Sequence, residues 1–244
     1  MIDEAALLEG SVDPPVARVR WQRAIRIIPS RFPPVDLYAR VAPPEDFDAL
    51  HAVESLTNAR LRDASGAARV IPAGEAAAGA GSSYIMAPFT HLGPSGGRFN
   101  DATFGALYAA RERATAVAET CYHRARFLAA TREPAMALDM RVLELRLDAR
   151  LHDLRGRRAE LPRIHAPDTY VASQQLGRRL RAARSWGIAF DSVRHVRGSC
   201  VAIFRPRAVS ACRQAEHLGY LWDGERIGEV IEKRPYPHPG RGPS

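Results

Sequence analysis

The chain has 244 residues, 46% of them apolar and 25% charged, with a formal net charge of +8. That balance suits one sizeable core, or one core with a small appendage, and excludes disordered and fibrous classes. The basic residues are almost all arginine, with Lys233 the only lysine; without a zinc finger, an RNP-type aromatic strand or a helix-turn-helix pattern, the charge points to the phosphates of a nucleotide rather than to nucleic acid.

In chain order, Asp3 and Glu4 come before any apolar run, so no secretory signal is read there. Nowhere do about 18 strongly apolar residues run together as a membrane span requires, so a cytoplasmic protein without a membrane partner is expected. Val16 to Ile28 reads as an amphipathic helix stopped by Pro29 and then Pro33-Pro34, which gives a helical extension over residues 1–34. The main domain is expected over 35–232. Its first strand-like run is Asp36 to Val41, followed by an Ala- and Gly-rich loop from Asp63 to Ser83.

Gly105 to Ala109 reads as a strand. Arg111 to Ala130 carries Ala114, Val117, Ala118, Cys121, Tyr122, Ala125 and Leu128 at helical spacing, with Glu119 near the centre. Ala137 to Leu147 alternates as a strand, and Thr169 to Arg184 reads as a helix closed by Gly187. Ile188 to Phe190 and Cys200 to Phe204 then read as two closing strands, and residues 233–244 as a flexible tail rich in Pro and Gly. The pattern is α+β in a single domain. Cys121, Cys200 and Cys212 are odd in number and lack CxxC spacing, which argues for reduced thiols and against a structural metal.

The most telling segment is Gly96-Gly97-Arg98-Phe99-Asn100, followed by Tyr108 in Leu107-Tyr108-Ala109-Ala110 and by Glu119 in Thr115-Ala116-Val117-Ala118-Glu119-Thr120. Glycines before Arg98 allow a tight turn, so its guanidinium can approach a ligand from a loop and offer a bidentate contact to phosphate. Tyr108 can stack on a base or nicotinamide. Glu119 can stabilise positive charge at an anomeric carbon, as carboxylates do in glycosyl transfer. Taken singly, each has a plainer reading: a surface arginine, a core tyrosine, a solvated glutamate. Their ordered spacing favours a site that holds an N-glycosidic bond.

These runs resemble the RES domain, the toxin half of bacterial RES/Xre toxin-antitoxin pairs, named for its Arg, Glu and Ser. Ala172-Ser173-Gln174-Gln175-Leu176-Gly177 is similar to the family's Thr-Gln-x-Leu-Gly helix. Gly187 to Arg194 is similar to its Pro-Ser segment, with Asp191 where shorter members often carry proline. The resemblance spans roughly Asp36 to Val209. It implies a small split β-sheet flanked by helices, like that of ADP-ribosyltransferase toxins, and NAD as a substrate that is cleaved at its nicotinamide–ribose bond without a metal. Carried over residue by residue, it makes Arg98, Glu119 and Ser192 catalytic, with Tyr108 lining the nicotinamide pocket. Ser199 rivals Ser192 for the serine role, and Arg40 is a further phosphate contact. It also implies an Xre-type antitoxin as partner, through which alone nucleic acid would be contacted. A second copy of the chain stays open as a partner. So do transfer of ADP-ribose to a protein and a purely binding role.

Overall fold

Strand β1, Val16–Pro29, lies antiparallel against β3, Met136–Asp153, in a register that runs from Val16↔His152 to Pro29↔Met140. The computed structural model describes residues 2–30, 75, 77, 81–90, 92 and 95–234. The run expected as an N-terminal helix is therefore a strand of the main sheet. Val19 and Trp21 are buried while Arg18 and Arg20 are exposed, the period-2 alternation of a half-covered strand. A register shift between Trp21 and Ala24 then moves burial to Ala24, Ile25 and Ile27. That change of phase spaces the apolar residues by three and four, which is how a bulged strand imitates a helix. Among the described residues, the α-helix that precedes β1 is α1, Glu4–Glu9, capped by the Asp3 carboxylate on the Ala5 N–H at 2.9 Å.

The remaining elements are helix α2, Ser82–Thr90; strand β2, Leu107–Ala110; helix α3, Arg113–Thr131; helix α4, Val171–Ala182; and strands β4, Gly187–Asp191, β5, Ser199–Ile203, β6, Val209–Trp222, and β7, Ile227–Lys233. Helix α2, β6 and β7 have no counterpart in the sequence reading. Lys233 closes β7 rather than opening a tail, and Gly187, at φ +144°, opens β4 rather than closing the helix before it. The strand expected at Asp36 to Val41 lies outside the described residues, as do residues 63–74 of the expected loop and 235–244 of the expected tail.

The seven strands form one mixed sheet in the order β1-β2-β5-β4-β3-β6-β7, and the β1–β3 pairing closes β1, β2, β5, β4 and β3 into a ring. The α+β class, in one domain, is thus as expected. Alternation splits the core into two. Val19, Trp21, Leu143, Leu145, Leu147, Ala189, Val201 and Ile203 fill one face of the strands. Ile25, Ile27, Ile188, Phe190, Cys200 and Ala202 face the other way, toward Leu7, Phe99, Ala116, Leu176 and Leu180. This second face carries α1, α3, α4 and the loop of Arg98, whereas α2 packs on the first face through Ile85 and Phe89.

Helix α4 reaches that loop through Gly177, where a Cβ would overlap the carbonyl oxygen of Phe99. We expect Gly177→Ala to cost about 1–3 kcal/mol, the usual range for overpacking. Gly228→Ala, which adds a methyl in open space, should change stability by less than about 0.5 kcal/mol. Urea midpoints at unchanged m-value measure both, and equal midpoints would show that the helix yields without cost.

Candidate functional site

The loop before β2 is built for rigidity. Gly97 and Asn100 pair as an isolated bridge, with the Gly97 N–H donating to the Asn100 carbonyl at 2.8 Å, and Arg98 and Phe99 form the turn between them. Tyr108, on β2, accepts from the Phe99 N–H at 2.8 Å and donates to Asn100 Oδ1 at 2.8 Å. Asn100 Nδ2 in turn donates to the carbonyls of Asp101 and Phe104. Gly97 has to be glycine, because a Cβ there would come within 2.7 Å of the Tyr108 hydroxyl. From α4, Gln174 Nε2 lies within 3.0–3.2 Å of the carbonyls of Ser95, Gly97 and Asn100.

Held this way, the Arg98 guanidinium is buried, yet it ends on a cleft of about 370 Å³. Its Nη1 donates to the carbonyls of Ile164 at 3.1 Å and Ala166 at 2.8 Å, and the group lies over the Tyr170 ring at 4.6 Å. Burial lowers its pKa, against the attraction of Tyr170 and Glu119. An arginine still stays charged there. Nε and Nη2 make no hydrogen bond among the described residues. Burial also raises the pKa of the Tyr108 phenol, which remains a neutral hydroxyl with both of its bonds made inside the protein.

Helix α3 lies across the cleft. Ala116, Glu119, Thr120 and His123 all line it, spaced as i, i+3, i+4 and i+7, one helical face. Glu119 Oε1 accepts a hydrogen bond of 2.6 Å from Ser192 Oγ. The Ser192 oxygen itself accepts from the backbone N–H groups of Arg194 at 3.1 Å and His195 at 3.0 Å, so its proton is directed at the carboxylate. The Ser192 loop is fastened to the same helix one turn earlier. There, Thr115 Oγ1 is 2.9 Å from His195 Nδ1 and 3.4 Å from Glu112 Oε2. Thr115 and Glu119, four residues apart, thus grip both ends of one short segment.

Of the residues singled out in the sequence, Arg98, Tyr108 and Glu119 line the cleft together. Ser192 is only 2% exposed and stands behind Glu119, touching the carboxylate rather than the cleft. Ser199 is not brought in; it opens β5 opposite Asp191, and its carbonyl accepts from the Arg111 N–H at 2.9 Å. Arg40 lies outside the described residues. An arginine the sequence reading passed over does line the cleft. Arg26, on β1, donates from Nη1 to the Tyr108 carbonyl at 3.0 Å, and desolvation brings its pKa down to about 10 against a small opposing effect of Cys212. The signal that could have found it was hidden by reading β1 as a helix.

Cys200 also lines the cleft, but burial, with Glu119 and Glu112 adding to it, pushes its thiol well above the ordinary value, so it is no nucleophile near neutrality. Among the described residues no three His, Cys, Asp or Glu side chains group so as to hold a metal, and no helix is long and apolar enough to cross a membrane.

Residues 75–223 match the family model described as the RES domain. The chain is 31% identical over 203 residues to the uncharacterized protein y4oC of Sinorhizobium fredii (strain NBRC 101917 / NGR234), covering 83% of this chain and 84% of that one. Among solved structures, a chain of the M. tuberculosis MbcT-MbcA toxin-antitoxin complex aligns over 88% of this chain and 91% of its own, at 10% identity and a TM-score of 0.45.

If the Tyr108 hydroxyl sets the loop, Tyr108→Phe leaves the Phe99 N–H and Asn100 Oδ1 without their partner. The expected loss is about 1–3 kcal/mol, the cost of stranding buried polar groups. Tyr122→Phe removes a hydroxyl bonded only at the surface, to Asp168 and Arg126, and should stay within about 0.5 kcal/mol of wild type. Thermal melts of the two variants side by side decide the matter.

Proposed function

The chain belongs to the RES domain family, and from that premise we propose that it is an NAD-consuming enzyme, the toxin of a toxin-antitoxin pair, which breaks the bond between nicotinamide and ribose. The observation that carries this reading is the convergence on one cleft of the Arg98 guanidinium, the Tyr108 ring and a Glu119 carboxylate held by Ser192. The cleft, at about 370 Å³, is in the size range of sites that bury a small organic ligand.

In the proposed reaction the C1′–N bond breaks and its electron pair leaves with nicotinamide, which departs as a neutral molecule. No acid is needed for that departure. The positive charge passes from the pyridinium ring to the ribose ring as an oxocarbenium ion, and Glu119 is the group that stabilises it. Ser192 fixes the direction of the carboxylate by occupying Oε1, and Oε2 accepts no hydrogen bond from the described residues. Arg98, with Arg26 on the adjoining strand, meets the diphosphate. Tyr108 acts through its ring, because its hydroxyl is committed to the loop. Water or inorganic phosphate then closes the ribose C1′. The fold, on this reading, works as ADP-ribosyltransferase toxins do, in the cytoplasm, restrained by an Xre-type antitoxin.

The test is nicotinamide release from NAD by the purified chain, with and without inorganic phosphate. Wild type should release it, and Glu119→Gln should slow release by about 10²–10³, the scale of losing one preorganised charge at a developing cation; Arg98→Ala, which removes a contact to the diphosphate, should slow it as well. Label from NAD appearing on a protein instead would make the enzyme an ADP-ribosyltransferase. Tight NAD binding with no turnover, unchanged by Glu119→Gln, would leave a binding role.

A further inference from the structure

Resting on the cleavage reading above, we infer that His123 is a second catalytic residue of the cleft, the base that takes the proton from an incoming water as its oxygen bonds to the ribose C1′. His123 lies four residues after Glu119 on α3 and lines the same cleft. Its ring is edge-on to Tyr122, at 5.4 Å between centroids and 76° between planes, and 6.5 Å from Tyr170, which carries Arg98 on its face. Among the described residues, these two rings flank the imidazole. Neither nitrogen makes a hydrogen bond among the described residues, so both are available to solvent or substrate.

The other described histidines are engaged. His152 Nδ1 is 3.0 Å from the Pro14 carbonyl, His165 Nδ1 is 3.0 Å from that of Leu161, and His195 is on Thr115. His217 bonds to Ser30 and Gln214. None of these lines the cleft.

The groups that face His123 favour its neutral form. Although the residue keeps an exposed face, desolvation lowers its pKa, and the positive charges of Arg194, Arg98 and Arg126 lower it further against the attraction of Glu119. A neutral imidazole at pH 7 can accept a proton.

The chemistry gives this role a signature. When water attacks, the C1′–N bond breaks with its electron pair going to nicotinamide, a C1′–O bond forms, and one water O–H bond breaks as the proton passes to the imidazole and then to solvent. When a phosphate dianion attacks, the bonding oxygen carries no proton, and no base is required. His123 therefore acts on hydrolysis far more than on phosphorolysis, while Glu119 acts on both.

The experiment compares wild type, His123→Gln and His123→Phe with NAD at saturating phosphate and without phosphate, and quantifies ADP-ribose, its 1-phosphate and nicotinamide across pH 5–8. Hydrolysis by His123→Gln is expected to fall about 10²-fold, the low end for a general base, so that the ratio of phosphorylated to hydrolysed product rises by about the same factor. The acidic limb of the wild-type hydrolysis profile, where protonation of the imidazole removes the base, should be absent from the variant. Phe preserves the aromatic contacts and should not rescue hydrolysis. An unchanged product ratio, or recovery by His123→Phe, overturns the base role and leaves His123 a stacking wall. A wild type that releases nicotinamide only with phosphate overturns the base role alone, because cleavage stands. A wild type that releases none under any condition overturns both readings.

Discussion

The site depends on one tyrosine hydroxyl. Tyr108 belongs to a short strand whose register is fixed by pairing with β5 over all four of its residues, from Leu107↔Ile203 to Ala110↔Cys200. Its phenol carries that register outward, one bond in each direction, to the Phe99 N–H and to Asn100 Oδ1. The position of Arg98 is consequently inherited from the sheet. A loop left to itself samples many conformations, and ordering it on binding would cost affinity; a loop already tied to the sheet avoids most of that cost. Gln174 and Gly177, three residues apart on α4, close the loop from its other side, the first by hydrogen bonds to the Gly97 and Asn100 carbonyls and the second by leaving room for that of Phe99.

The same economy governs helix α3. An amphipathic helix normally spends one stripe of apolar residues on the core. Here the stripe at 116, 119, 120 and 123 faces a cleft. The catalytic candidate sits in the middle of that stripe, and its carboxylate direction is decided by a residue 73 positions later. Ser192 is buried with three hydrogen bonds, two accepted from backbone and one donated to Glu119, so the serine hydroxyl has no freedom left to act as a nucleophile. The Thr115–His195 contact makes the arrangement cooperative, since loosening either end of the Ser192 segment loosens the other.

What the sequence made legible follows from which signals are local. The spacing of Arg98, Tyr108 and Glu119 survived because a loop, the strand after it and the helix after that are consecutive, and consecutive elements pack side by side. Helices α3 and α4 and strands β2 to β5 were readable from their periods. Strand β1 was not, because its bulge replaced a period of two with one of three and four, and reading it as a helix concealed Arg26. Strands β6 and β7 escaped for a different reason. β6 alternates weakly beyond Cys212, where Gln214, Ala215, Glu216 and His217 run together, and β7 is an edge strand whose residues are almost all exposed, so neither presents the half-buried pattern that marks a strand. Ser192 and Ser199 could not be separated by spacing; only the fold shows that one bonds to Glu119 and the other opens a strand.

The internal bonds also limit what the cleft has left to offer a ligand. The Tyr108 hydroxyl, the Asn100 amide and the Thr120 hydroxyl, which pairs with Tyr220 at 2.7 Å, are all committed within the protein. Ser192 is out of reach behind Glu119. Among the described residues, what remains polar is Arg26, the Nε and Nη2 of Arg98, one carboxylate oxygen of Glu119 and the imidazole of His123, set among Ala106, Ala109, Ala110 and Phe190. A ligand that satisfies this set has anionic groups at one end, for two guanidiniums, and a centre that is or becomes cationic beside the carboxylate. A neutral sugar would leave both arginines short of acceptors, and a simple polyanion would be repelled by Glu119. A dinucleotide carrying a diphosphate and a pyridinium answers to both signs of charge at once. In the cleavage proposed above, the positive charge would move onto the ribose as nicotinamide leaves, next to the Glu119 carboxylate that Ser192 holds.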